Sequence, residues 1–274
     1  MKKLLLILLT AATLQMSGCA TTTNTSASGV ERKQFMLLPA SQVTSMSSAA
    51  YVQTLKEADK KKTLNTDTKQ LDRVRTISNK LIAQVGVFRP DATKWNWEVN
   101  VETSDQVNAY CMPGGKIMVY TGLINKLNAT DDELGAVIGH EIAHALREHG
   151  RERMSSAYAQ QFGLQALAIM LSKGTSSAVG NATMQAASTG SQLFFALPNS
   201  RLQETEADRI GLELSARAGY NPDAAVTLWQ KMSAQSSAKP SEFFSTHPSN
   251  EHRIADLQAL APKVRPYYLA AINK

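Results

Sequence analysis

The chain has 274 residues, with 29 Lys and Arg against 23 Asp and Glu, a formal net charge of +6. That length can bury one sizeable core, and the charge excess is too mild and scattered to argue for nucleic acid. Two cysteines are too few for a disulfide framework or a thiolate zinc cluster.

The first element is an apolar run over residues 4–14, preceded by Lys2 and Lys3. It is short for a membrane span and suits a signal peptide. It ends at Met16-Ser17-Gly18-Cys19, which resembles a bacterial lipobox, with Met16 standing where Leu is usual. Cleavage after residue 18 would leave Cys19 as a lipidated N-terminus, an anchor that several acyl chains make firm. An ordinary secretory signal is the alternative. Ala20, rather than Asp, follows the cysteine, which favours sorting to an outer membrane and a site facing the periplasm. With Cys19 acylated, Cys111 has no partner for an intramolecular disulfide.

Residues 20–29 are rich in Thr, Ser and Asn and read as a flexible tether. A tether and leading helix are assigned to residues 19–66, and a catalytic domain to residues 67–274. Leu71, Val74, Ile77, Leu81 and Val85 recur at helical spacing and open that domain. Trp95, Trp97, Val99 and Val101 alternate with Asn96, Glu98 and Asn100, the pattern of a half-buried strand. Residues 107–112 and 116–120 flank Pro113-Gly114-Gly115 and read as a hairpin.

Thr130-Asp131-Asp132-Glu133 reads as a capping box with an acidic first turn. Leu134, Val137, Ile138, Ile142, Ala145 and Leu146 follow at helical spacing and bury that helix against a core. On it lies His140-Glu141-Ile142-Ala143-His144. Four residues exceed one turn slightly, so both rings leave the same face. Two neutral imidazoles there can grip one Zn²⁺, and Glu141 can then act as general base on a water. A surface helix with two solvated histidines is the plain alternative. His149 is five residues past His144, which turns it away from the ligand face. His149 and His252 are therefore read as structural or solvated.

Between residues 154 and 200, Lys173 is the sole charge. Buried core helices, a lid over the cleft, and a membrane- or partner-facing surface compete here. Helices packing near the site are favoured, with a mobile link around residues 173–181. Asn199-Ser200-Arg201-Leu202-Gln203-Glu204-Thr205-Glu206-Ala207-Asp208 then starts a second capped helix, Ser200 to Gln203. It runs to about Arg217, stopped by Gly219 and Pro222. Glu204 and Asp208 share a face and Glu206 points elsewhere. One of the pair can bind zinc while the other orients a zinc-bound imidazole.

These ordered motifs resemble the M48 family of zinc metallopeptidases, over roughly residues 70–260. The resemblance includes Asn108-Ala109-Tyr110, Pro113-Gly114-Gly115, Val119-Tyr120-Thr121-Gly122-Leu123, and Thr246-His247-Pro248 with Arg253. It implies that His140, His144 and Glu204 bind one Zn²⁺, that Glu141 is the general base, and that Asp208 is a supporting carboxylate or proton donor. It also implies a role for His247, on the loop Ser245-Thr246-His247-Pro248 before a helix capped by Ser249. His247 either stabilises the oxyanion or occupies the open metal position; a loop-packing histidine is the competing reading.

The implied fold is predominantly helical α+β and zincin-like, with a small antiparallel sheet above two metal-bearing helices. An edge strand around residues 108–111 would hold substrate by main-chain pairing. The implied activity is a zinc-dependent endopeptidase acting on unfolded or misassembled envelope proteins, with quality control as its role. The alternative is a periplasmic assembly factor or chaperone that binds partners through a latent, gated cleft.

Overall fold

A computed structural model describes residues 19–171, 197–236, 242–247 and 251–273. The signal segment with Met16, Ser17 and Gly18, the link at residues 173–181, and the expected cap at Ser249 lie outside the described residues.

Strands β1 (Cys19–Ala20) and β2 (Gln34–Phe35) pair first. Helices α1 (Ala40–Lys60), α2 (Thr68–Ile82) and the short α3 (Val85–Phe88) follow, with a 3₁₀ turn at Pro90–Lys94. Then come β3 (Glu98–Glu102), β4 (Ala109–Met112), β5 (Lys116–Tyr120) and α4 (Thr121–Lys126). The remaining elements among the described residues are helices: α5 (Asp131–Leu146), α6 (His149–Leu171), α7 (Arg201–Arg217), α8 (Asp223–Ser236), α9 (Glu242–Thr246) and α10 (Glu251–Ile272). The predominantly helical α+β reading is thus the observed one.

Helix α5 is the axis of the molecule. Its capping box is complete: Glu133 N donates to Thr130 Oγ1 at 3.2 Å, and Thr130 N donates to Glu133 Oε2 at 2.9 Å. Helices α2, α7 and α8 pack around it, with β4 alongside. Residues 133–146 are consequently buried on every face, more than an amphipathic stripe implies. Helix α7 carries the matching box, with Gln203 N on Ser200 Oγ at 3.2 Å and Ser200 N on Gln203 Oε1 at 3.1 Å.

The two helices cross where neither has a side chain. A Cβ on Gly211 would lie 2.7 Å from His140 N, and one on Gly139 would lie 2.9 Å from Gly211 O. Backbone contact at this crossing places the carboxylates of α7 against the imidazoles of α5.

The sheet corrects one expectation. Its order is β3-β5-β4, with β4 and β5 antiparallel but β3 and β5 parallel, so it is mixed rather than antiparallel. The hairpin forms as read, Met112 opposite Lys116, through Gly114 and Gly115 at φ +85° and +83°. Residues 103–108 reverse the chain, but β4 takes the far edge of β5. The near edge of β5 is left to β3, which runs the same way. Helix α1 covers the sheet, where Tyr51 packs with Met112 and Met118 and its hydroxyl donates to Ile117 O at 2.6 Å.

The N-terminal segment also departs from its reading as a flexible tether. Thr23, Ser28, Val30 and Gln34 are buried. Ser26 Oγ and Ser28 N donate to Glu213 Oε2 at 2.8 and 2.7 Å. Asn24 N donates to Phe88 O at 2.7 Å. Composition alone suggested a solvated coil; the short polar side chains instead satisfy buried charges on α7 and at the end of α5.

Candidate metal centre

His140 and His144, one turn apart on α5, point at the first turn of α7. His144 Nε2 lies 3.1 Å from His140 Nε2 and 3.3 Å from Glu204 Oε1. His140 Nε2 lies 3.5 Å from Glu204 Oε2. His247 joins from the end of α9, its Nδ1 3.1 Å from Glu204 Oε1 and 3.3 Å from His140 Nε2. One donor atom from each of these four residues falls within 4.8 Å of the others, and all four are buried. Three imidazole nitrogens and a carboxylate oxygen so gathered fit a single divalent ion with nitrogen and oxygen preference.

Glu141 and Asp208 take different places. Glu141 Oε1 is buried with no hydrogen-bond partner among the described residues, and His247 Nε2 stands 3.6 Å away. Burial raises its pKa above the ordinary value, the direction a general base at neutral pH requires. Asp208 Oδ1 lies 3.0 Å from His140 Nδ1, behind the donor cluster. Burial opposes its ionisation, but Arg253 outweighs that and holds the carboxyl below its usual range.

Arg253, from α10, clamps two acids of α7, Glu204 and Asp208. Its Nη1 donates to Glu204 Oε2 at 2.9 Å, and its Nε and Nη2 donate to Asp208 at 2.6 and 2.7 Å. Its guanidinium also sits 3.7 Å over the Trp229 ring. The charge of the acids is thereby balanced inside the protein.

His149 is structural rather than solvated, yet its ring meets His144 instead of turning away from it. Helix α5 ends at Leu146, Glu148 adopts φ +52°, and α6 begins at His149. The break swings the ring back: His149 Nδ1 and His144 Nδ1 share a 2.8 Å hydrogen bond. His149 Nε2 lies 2.9 Å from Glu206 Oε2. Burial lowers its pKa to about 4, so the ring is neutral. Glu206, as read, is not in the donor cluster, yet it supports it from behind. The left-handed residue was the missing signal, and Glu at that position does not announce it. His252 is exposed.

The cleft leading to the cluster is lined by Ala109, Tyr110 and Cys111 of β4, with Glu141, His144 and His247. β4 is an edge of the three-stranded sheet. Cys111 is buried and unpaired by any disulfide, and burial pushes its thiol pKa up.

A helical domain with a small sheet and two facing helices that bring His, His and Glu together is zincin-like. Peptidase family M48 matches residues 68–261, and the chain belongs to that family. It is 39% identical over 158 residues to the mitochondrial metalloendopeptidase OMA1 of Arabidopsis thaliana, covering 58% of this chain and 30% of that protein. It is 36% identical over 180 residues to the mitochondrial metalloendopeptidase OMA1 of Bos taurus, covering 64% and 34%. It is 28% identical over 202 residues to the beta-barrel assembly-enhancing protease of Yersinia pestis, covering 72% and 40%. The matched regions thus span 30% to 40% of these relatives' lengths.

Proposed function

We propose that this chain is a zinc-dependent endopeptidase. The observation that carries the reading is the convergence of His140, His144 and Glu204 beside the buried, unpartnered Oε1 of Glu141. His140, His144 and Glu204 would hold the ion, which when bound supplies Lewis acidity toward a peptide carbonyl and a water. Glu141 takes the proton of the attacking water and returns it to the leaving amine. Asp208 faces His140 Nδ1 and keeps that ring's other nitrogen turned to the donor cluster. The substrate pairs as an added strand along residues 108–111, at the start of β4, an edge that lines the cleft.

His247 governs access. Its place among the donors supports a resting state in which it fills the fourth position. The same observation favours the second reading, a partner-binding assembly factor with a latent cleft. The name of the Yersinia pestis relative supports substrates among envelope proteins and a quality-control role. We place the chain at an outer membrane, anchored through acylated Cys19 and facing the periplasm; no helix among the described residues is long and apolar enough to cross a membrane.

Cleavage of unfolded casein by wild type and Glu141→Gln tests the activity. Wild-type cleavage abolished in Glu141→Gln supports it. Equal residual cleavage by both, with metal bound, contradicts it.

A further inference from the structure

The contacts that hold His144 do not end within the family-matched region, which begins at residue 68. His144 Nε2 faces the donor cluster, 3.3 Å from Glu204 Oε1. A ring that offers Nε2 to a metal carries its proton on Nδ1. That proton is donated to His149 Nδ1 at 2.8 Å. His149 must then carry its own proton on Nε2, which donates to Glu206 Oε2 at 2.9 Å. One protonation pattern satisfies every contact, and a carboxylate at the far end selects it.

Glu206 is 4% exposed, and a buried carboxylate needs compensation. Arg32 supplies it from the N-terminal segment. Its Nε donates to Glu206 Oε1 at 2.9 Å and its Nη2 to Glu206 Oε2 at 3.0 Å. The rest of the guanidinium binds Glu152, at 2.5 and 2.9 Å. Arg147 adds one contact to Glu206 at 3.2 Å and holds Arg32 O at 3.0 Å. Glu152 is fixed in turn by Gln203 and Gln34, at 2.8 and 3.2 Å. Arg32 thus joins the start of α6 to the start of α7, behind the ligand-bearing turns of α5 and α7.

We propose that Arg32 is a positioning residue for the metal centre. The N-terminal segment closes a hydrogen-bonded chain, Arg32 to Glu206 to His149 to His144, that fixes the orientation and tautomer of a metal ligand. A domain cut to the family-matched residues lacks this support. The proposal rests on the reading of His140, His144 and Glu204 as ligands.

The segment is also clipped at a second place, Ser26 and Ser28 on Glu213, which permits a control. Zinc dissociation constants from chelator competition and thermal midpoints of the metal-free protein are measured for wild type, Arg32→Gln, Arg32→Lys, Glu213→Ala and Glu204→Ala. The proposal expects Arg32→Gln to weaken zinc binding about tenfold or more, Arg32→Lys to fall between, and Glu213→Ala to stay within about twofold of wild type at a comparably lowered midpoint. Arg32→Gln that lowers the midpoint but keeps zinc affinity overturns it. So does Glu213→Ala weakening zinc as much as Arg32→Gln. Wild type that binds no zinc, or binds it unchanged in Glu204→Ala, instead overturns the ligand reading beneath it.

Discussion

His247 Nδ1 lies 3.1 Å from Glu204 Oε1, inside the donor cluster rather than beside it. Its ring stacks on Phe243 with centroids 4.3 Å apart, so the side chain is held there by packing as well as polarity. In the proposed resting state the ring would compete with substrate and water for the fourth metal position. His247→Ala should raise casein cleavage several-fold while retaining zinc. Kinetics beside metal content check this, and a slower His247→Ala enzyme would mean the ring assists the reaction instead.

Arg253 balances two buried acids, Glu204 and Asp208. Removing one partner of such a network leaves uncompensated charge, at a cost of about 3–5 kcal/mol. Arg253→Ala should therefore lose about that much stability in urea denaturation of the metal-free protein. A loss under about 1 kcal/mol would show that the acids are compensated elsewhere.

Gly211 faces His140 N across a helix crossing, where an added Cβ would sit 2.7 Å away. The obstacle is backbone, so the helices must separate. Gly211→Ala should cost about 1–3 kcal/mol and weaken zinc binding, because Glu204 and Asp208 ride on the same helix. Melting curves and chelator competition check the two effects. Unchanged affinity would mean the donor cluster tolerates the shift.

Glu152 predicts an acid limit. Burial opposes its ionisation, but Arg32, Gln203 and Gln34 overcome that and lower its pKa from 4.5 to about 2. A depressed carboxylate contributes stability that is complete above the unfolded value and lost as pH falls through the folded one. The stability it supplies should be whole at pH 6 and should fade from about pH 4.5 toward 2. Denaturation midpoints across that range should fall less steeply for Glu152→Gln than for wild type. Parallel curves would contradict the assignment.

Local chemistry made much of this site legible in the chain. Capping boxes at Thr130 and Ser200 are short-range signals, and they located both helices that carry the donors. Helical spacing placed His140 with His144, and Glu204 with Asp208, on shared faces. Pro113-Gly114-Gly115 marked the hairpin in the same way. What escaped depends on distant parts of the chain. His149 reaches the site because Glu148 takes a left-handed conformation that no residue preference signals. β3 pairs in parallel because β4 occupies the outer edge of β5, a competition between three segments. Residues 20–29 look like coil by composition, but Thr23, Ser26 and Ser28 are held by buried charges more than a hundred positions away.

The central claim is that His140, His144 and Glu204 hold a metal ion. Zinc content of the purified chain, wild type against Glu204→Ala, tests it most directly. One zinc per wild-type chain, lost in a Glu204→Ala protein that remains folded, is the predicted result. Equal zinc in both proteins, or none in wild type after incubation with zinc, would contradict it.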